Sequence, residues 1–170
     1  MNVFLMGFMT SGKTSFGKKL ARALGYDFID LDNLIEDECK LSINEIFAQK
    51  GEAYFRNLET QVLENIINSS VKNRIVALGG GTPCFNENIS KMKKNNILVY
   101  LNLEIKVIIG RLKVDKANRP LVKDLNEQEL VEKVNSLFKE REKYYKQANL
   151  ILDAQESKST LKKDECKLNS

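Results

Sequence analysis

Strands alternate with helices along this chain, and at least two of the strands are apolar on both faces, which predicts an α/β domain with helices over both faces of a parallel sheet. Three observations carry that expectation. Arg74-Ile75-Val76-Ala77-Leu78 and Ile97-Leu98-Val99-Tyr100-Leu101 are near-continuous apolar runs. Amphipathic stretches long enough for crossover helices separate the strand candidates. The first strand candidate, Asn2-Val3-Phe4-Leu5-Met6, leads into Gly7-Phe8-Met9-Thr10-Ser11-Gly12-Lys13-Thr14, which satisfies the phosphate-loop pattern G-x-x-x-x-G-K-[ST] at every position.

The elements follow in order. Residues 14–24 read as a helix with Phe16, Leu20, Ala23 and Leu24 on one face, stopped by Gly25. Residues 26–32 alternate polar and apolar as a second strand. Residues 32–40 form a short helix, and Ser42 with Glu45 makes a capping box for a helix over 43–49. Gly51 interrupts before a long amphipathic helix over 52–68. The third strand, 74–78, ends in Gly79-Gly80-Gly81-Thr82-Pro83, a loop. Asn86 is expected to cap a helix reaching about residue 94. A fourth strand over 97–101 and a helix over 104–113 come next. Residues 114–124 lack a period, contain Arg119-Pro120 and read as an exposed, mobile lid. Residues 126–147 form the longest helix and 149–153 the fifth strand. The expectation is one domain over 1–153 and a polar, lysine-rich tail over 154–170.

Composition removes several chemistries. The chain has no histidine, so imidazole acids and bases, serine or cysteine triads and H-E-x-x-H zinc sites are excluded. Any proton acceptor must be a carboxylate, a lysine or a tyrosine. Cys39, Cys84 and Cys166 are too widely spaced for a C-x-x-C metal site or a disulfide framework. A net charge of +4, with no tryptophan, does not describe a nucleic-acid-binding face. There is no apolar run of membrane-spanning length and no signal peptide, so a cytoplasmic protein without a membrane partner is expected.

In a phosphate loop, successive backbone N–H groups from Met9, Thr10, Ser11 and Gly12 converge with a helix N-terminus on anionic oxygens. Lys13 would reach the β- and γ-phosphates, and the Thr14 hydroxyl would help hold Mg²⁺. The acceptor must be sought at the carboxyl ends of the other strands. Asp30 and Asp32, two apart on an extended segment, would project to one side. Asp30 would serve a hydrated metal, and Asp32 would orient an acceptor hydroxyl and take its proton. Two solvated aspartates capping a helix would also explain the pair. Arg56 and Glu59 share a helix face, either as a guanidinium clamp for a carboxylate or as a surface ion pair. Gly79, Gly80 and Gly81 would let the backbone approach a small ligand, or would simply form a flexible turn. Arg119 is placed to act as a cis arginine finger from the lid, and Arg111 to stack on a base. Arg141 is a second carboxylate ligand or a solvated helix charge.

The ordered set Gly7 to Thr14, Phe28-Ile29-Asp30-Leu31-Asp32, Phe55-Arg56-Asn57-Leu58-Glu59, Leu78-Gly79-Gly80-Gly81, Arg119-Pro120-Leu121 and Arg141-Glu142-Lys143-Tyr144-Tyr145 resembles the shikimate kinase family, over residues 2–153. The resemblance implies a three-layer phosphate-loop fold with a five-stranded sheet in the order 2-3-1-4-5. It also implies ATP and Mg²⁺ as donor complex, shikimate as the small-molecule partner phosphorylated at its 3-hydroxyl, and a monomer. By position, Asp32 would bind the shikimate hydroxyls, Arg56 and Arg141 its carboxylate, and Gly79, Gly80 and Gly81 its ring substituents. Lys13 and Arg119 would serve catalysis, Thr14 and Asp30 the metal, and Arg111 the adenine. The rivals are a gluconate- or nucleotide-type small kinase, and a non-catalytic nucleotide-binding regulator.

Overall fold

The computed structural model describes residues 1–114 and 119–154. The expected tail over 154–170 therefore lies outside the described residues except for Ala154, as does the middle of the expected lid. The elements are β1 (Val3–Met6), α1 (Lys13–Leu24), β2 (Asp27–Asp30), α2 (Leu31–Cys39), α3 (Ile43–Asn68), β3 (Arg74–Ala77), a 3-10 turn (Thr82–Cys84), α4 (Asn88–Lys93), β4 (Ile97–Asn102), α5 (Ile105–Val114), α6 (Glu127–Tyr145) and β5 (Leu150–Asp153). All five strands pair in parallel in the order β2-β3-β1-β4-β5.

Because side chains alternate across a strand, β1 sends Phe4 and Met6 to one face and Val3 and Leu5 to the other. Phe4 and Met6 join Val76, Leu98 and Tyr100 in the larger core, where α2, α3 and α6 bury Ile35, Leu63 and Val134. Val3 and Leu5 join Ile75, Val99 and Leu101 in a smaller core closed by Ala21, Phe16 and Leu20 of α1. The packed face of α1 is thus Phe16, Leu20 and Ala21, whereas Ala23 and Leu24 are exposed. Gly17 sets this face, since a Cβ there would stand 2.5 Å from the Phe28 ring.

Several expected boundaries shift for identifiable reasons. Helix geometry begins at Leu31, so β2 is shorter than the alternation of residues 26–32 suggested. The expected capping box forms, with Ser42 Oγ accepting from the Glu45 N–H. The expected break at Gly51 is present as a non-helical residue (φ 80°, ψ 171°) that divides α3, so the stretch after it, 52–68, is shorter than α6 with its 19 residues. Asn86 does not cap α4. It takes a left-handed conformation, and its side chain donates to Thr60 Oγ1 at 2.9 Å and to the Arg56 carbonyl at 3.2 Å, pinning the segment before α4 to α3. Within the expected loop after β3, Thr82–Cys84 closes into a 3-10 turn.

Candidate active site

Parallel pairing puts the carboxyl ends of all strands on one edge, and the strand order sets the loops after β2, β3 and β1 side by side. The Gly79-to-Gly81 turn therefore lies between the Asp30–Asp32 junction and the phosphate loop. A cavity of about 840 Å³ opens at this edge, lined by Met9, Thr10, Gly12, Lys13, Thr14, Asp30, Asp32, Gly79, Gly80, Arg111 and Arg119. A second, narrow cavity of about 80 Å³ is lined by Ile43, Phe47, Arg56, Glu59, Gly81, Leu121 and Arg141, together with Met9, Asp32, Gly79, Gly80 and Arg119. The two cavities meet at these last five residues.

In the phosphate loop, Thr10 (φ 60°) and Gly12 (φ 93°) turn the chain, and the Ser11 N–H donates to the Phe8 carbonyl at 3.2 Å. Lys13 Nζ curls back onto the Gly7 and Phe8 carbonyls at 2.9 and 3.0 Å. Burial brings the Lys13 ammonium down to about 8; Arg119 and Arg141 add to the fall, while Asp32 and Asp30 oppose it. Ser11 is buried beneath the loop and its side chain does not line the cavity. Arg111, on α5, donates from Nη1 to the Thr10 carbonyl at 2.5 Å, which ties the cavity's outer wall to the loop.

Asp30 ends β2 and Asp32 lies in the first turn of α2, so a strand-to-helix corner, not an extended segment, brings both to the cavity. The two face different neighbours. Asp30 Oδ2 accepts from the Thr14 hydroxyl at 2.7 Å. Asp32 is pushed up to about 6 by burial, with the Glu59 and Asp30 charges adding to the rise and Lys13 and Arg119 opposing it. That places its carboxyl near the pH at which a general base works best.

Arg56 and Glu59 are both buried, at 6% and 0% exposure, so a surface ion pair does not describe them. Arg56 Nη1 donates to Glu59 Oε2 at 3.0 Å, and Glu59 Oε1 accepts the Thr82 hydroxyl at 2.6 Å. Glu52 takes Nε and Nη2 of the same guanidinium at 3.2 and 3.0 Å. Arg141 is 5% exposed, over the Phe8 ring at 5.7 Å, so it is not a solvated charge. The three glycines have ordinary or extended-region φ values and are small for steric reasons. A Cβ on Gly79 would stand 2.9 Å from Asp32 Oδ1 and 3.0 Å from Glu59 Oε1. The Tyr145 hydroxyl donates to the Gly80 carbonyl and so anchors the middle of the turn.

Glu52, Thr82 and Tyr145 were not singled out by sequence reasoning as parts of this arrangement. The four-residue spacing of Glu52 and Arg56 is a readable signal; the Tyr145–Gly80 contact, 65 residues apart, has none. Cys84 borders an adjoining cavity, and burial pushes its thiol up to about 11, which makes it a poor nucleophile.

Two cavities meeting beneath a phosphate loop in a 2-3-1-4-5 parallel sheet define a phosphate-loop kinase that acts on a small molecule. The comparisons narrow the class. The chain belongs to the shikimate kinase family, whose model matches residues 9–166. The shikimate kinase of Sulfurihydrogenibium sp. is 41% identical over 153 residues, covering 90% of this chain and 87% of that protein. The crystal structure of shikimate kinase from Bacteroides thetaiotaomicron superposes with a TM-score of 0.83 at 36% identity, covering 91% of this chain and 86% of that one. Shikimate kinase from Acinetobacter baumannii, solved in complex with shikimate, gives 0.82 at 32% identity, with 96% and 93% covered.

Among the described residues, no helix is long and apolar enough to cross a membrane.

Proposed function

We propose that this chain transfers the γ-phosphoryl group of ATP to the 3-hydroxyl of shikimate. The observation that carries this reading is the meeting of a large, phosphate-loop-lined cavity with a small, arginine-lined one at Asp32 and Arg119. In phosphoryl transfer there is little covalent chemistry for the protein to perform, so positioning and charge account for most of the rate. The loop N–H groups of Met9, Thr10 and Gly12 hold the donor phosphates, that of Ser11 joins them on leaving the Phe8 carbonyl, and Lys13 leaves its two carbonyl partners to meet them. Arg111 lies along the wall where the nucleoside would extend.

In the smaller cavity, Arg56 and Arg141 hold the acceptor's carboxylate, and the Gly79, Gly80 and Gly81 backbone lies against its ring. Asp32 accepts a hydrogen bond from the hydroxyl to be phosphorylated and receives its proton as the oxygen attacks. Arg119 Nε, which is buried and finds no hydrogen-bond partner among the described residues, supplies positive charge where the phosphoryl group passes. A nucleotide acceptor would bring phosphate against Asp30, Asp32 and Glu59, which disfavours that alternative.

The Thr14 hydroxyl and Asp30 carboxylate, 2.7 Å apart in the donor cavity, are hard oxygen donors of the kind Mg²⁺ takes. Thr14 and Asp30 would hold that ion, which when bound would neutralise developing phosphate charge. A monomer is the proposed working unit, and reliance on ATP supports a cytoplasmic setting. A coupled assay for ADP should show turnover with shikimate and none with gluconate or AMP; turnover with either of those and none with shikimate would overturn the assignment.

A further inference from the structure

Arg56 has five N–H donors, and two protein carboxylates already use part of them. Glu59 takes Nη1 at 3.0 Å and is itself fully buried and fixed by the Thr82 hydroxyl at 2.6 Å. Glu52 is different. Its side chain is 45% exposed, yet one oxygen spans Nε and Nη2 at 3.2 and 3.0 Å, an edge that suits bidentate recognition of a carboxylate. Gly81 and the Phe85 ring, whose centroid is 4.4 Å from the guanidinium carbon, pack against the group, so a ligand reaches it along an edge. With two carboxylates on one guanidinium, the trio carries one more negative than positive charge and receives an anion poorly as it stands.

Glu52 also has somewhere to go. It borders a cavity of about 420 Å³ that shares Arg141 and Leu121 with the acceptor cavity and whose other charged lining is Lys133, Lys143 and Glu140, a net positive set. We propose that Glu52 is a placeholder for the acceptor's carboxylate, holding the Nε/Nη2 edge of Arg56 until the acceptor arrives and then yielding it. Acceptor binding is on this account an exchange of one carboxylate for another. Glu59 keeps the guanidinium aimed throughout, and Glu52 sets how much affinity the clamp shows. The freed Glu52 carboxylate turns toward Lys133 and Lys143.

The inference rests on the shikimate assignment, and titration calorimetry with shikimate tests it in a way that separates the two. Glu52→Gln removes the charge but keeps an acceptor atom, and it should bind shikimate roughly two- to fivefold tighter than the parent, the range of a half-exposed ion pair. Glu52→Ala should shift in the same direction and serves if the first variant fails to fold, with ATP affinity reporting an intact protein. The gain should vanish when Arg56 is lysine, because the exchange takes place on the guanidinium. Unchanged or weaker binding in both Glu52 variants of a shikimate-binding protein overturns the placeholder alone. Absence of shikimate binding in the parent overturns the acceptor assignment and the placeholder with it.

Discussion

Gly81 lies against the guanidinium of Arg56 so closely that an added Cβ would stand 2.7 Å from Nη2 and 2.9 Å from Cζ. Neither group can give way freely, since Arg56 is held by the buried Glu59, and Gly81 opens the Thr82–Cys84 turn. Gly81→Ala should therefore displace the clamp and raise the acceptor KM by about tenfold or more while leaving ATP affinity near its parent value. Steady-state kinetics with each substrate varied in turn checks this. An equal loss for both substrates would mean the glycine serves the fold rather than the clamp.

Asp32, the proposed base, carries a cost in stability. Its pKa rises on folding from 3.8 to about 6, so the folded state favours the neutral carboxyl. That preference is fully satisfied below pH 4 and is lost as pH rises through 6, leaving an ionised, half-buried group that opposes folding by up to about 2–3 kcal/mol. Asp32→Asn should accordingly raise the Tm at pH 8 by several degrees, with the gain fading toward pH 4. The same substitution should lower kcat by about 10²-fold or more, since the amide cannot take the proton. Thermal denaturation at the two pH values, set beside turnover, checks both halves.

The free protein's pH profile follows from two groups that face each other across the site. For kcat/KM, activity should fall below about pH 6 as Asp32 takes up a proton and above about pH 8 as Lys13 loses one. Bound phosphate stabilises the Lys13 ammonium, so the alkaline limb should move upward in the profile of kcat. Its failure to move would mean that Lys13 does not touch the donor phosphates.

Arg119 lines both cavities, and its charge acts on both Asp32 and Lys13. Arg119→Ala should lower kcat by about 10³-fold, the scale of an arginine finger, with a much smaller change in ATP affinity. Single-turnover measurement at saturating substrates separates this from slow product release. A large rise in ATP Kd with normal single-turnover rate would instead make Arg119 a binding group.

The features legible in the sequence are those whose partners are close in the chain. Gly7 to Thr14 is contiguous, and its strand before and helix after could be read directly. Arg56 and Glu59 share a helix face by spacing alone, although their burial could not be read, because it depends on Phe85 and Gly81 arriving from the far side of β3. Asp32 was located but for the wrong geometric reason, since helix formation at Leu31 overrides the alternating pattern. Asn86 was misread because a residue with cap chemistry can spend its amide on tertiary contacts. The seat of Arg141 and the Tyr145–Gly80 contact exist only once α6 packs against the glycine turn.

The most direct test is to follow ATP and shikimate by ³¹P NMR through a complete reaction. A phosphorus signal coupled to the proton on carbon 3 of shikimate, growing in step with ADP, is the predicted result. Phosphate on another hydroxyl, or inorganic phosphate released with shikimate unchanged, would contradict the arrangement of Asp32 and Arg119 between the two cavities.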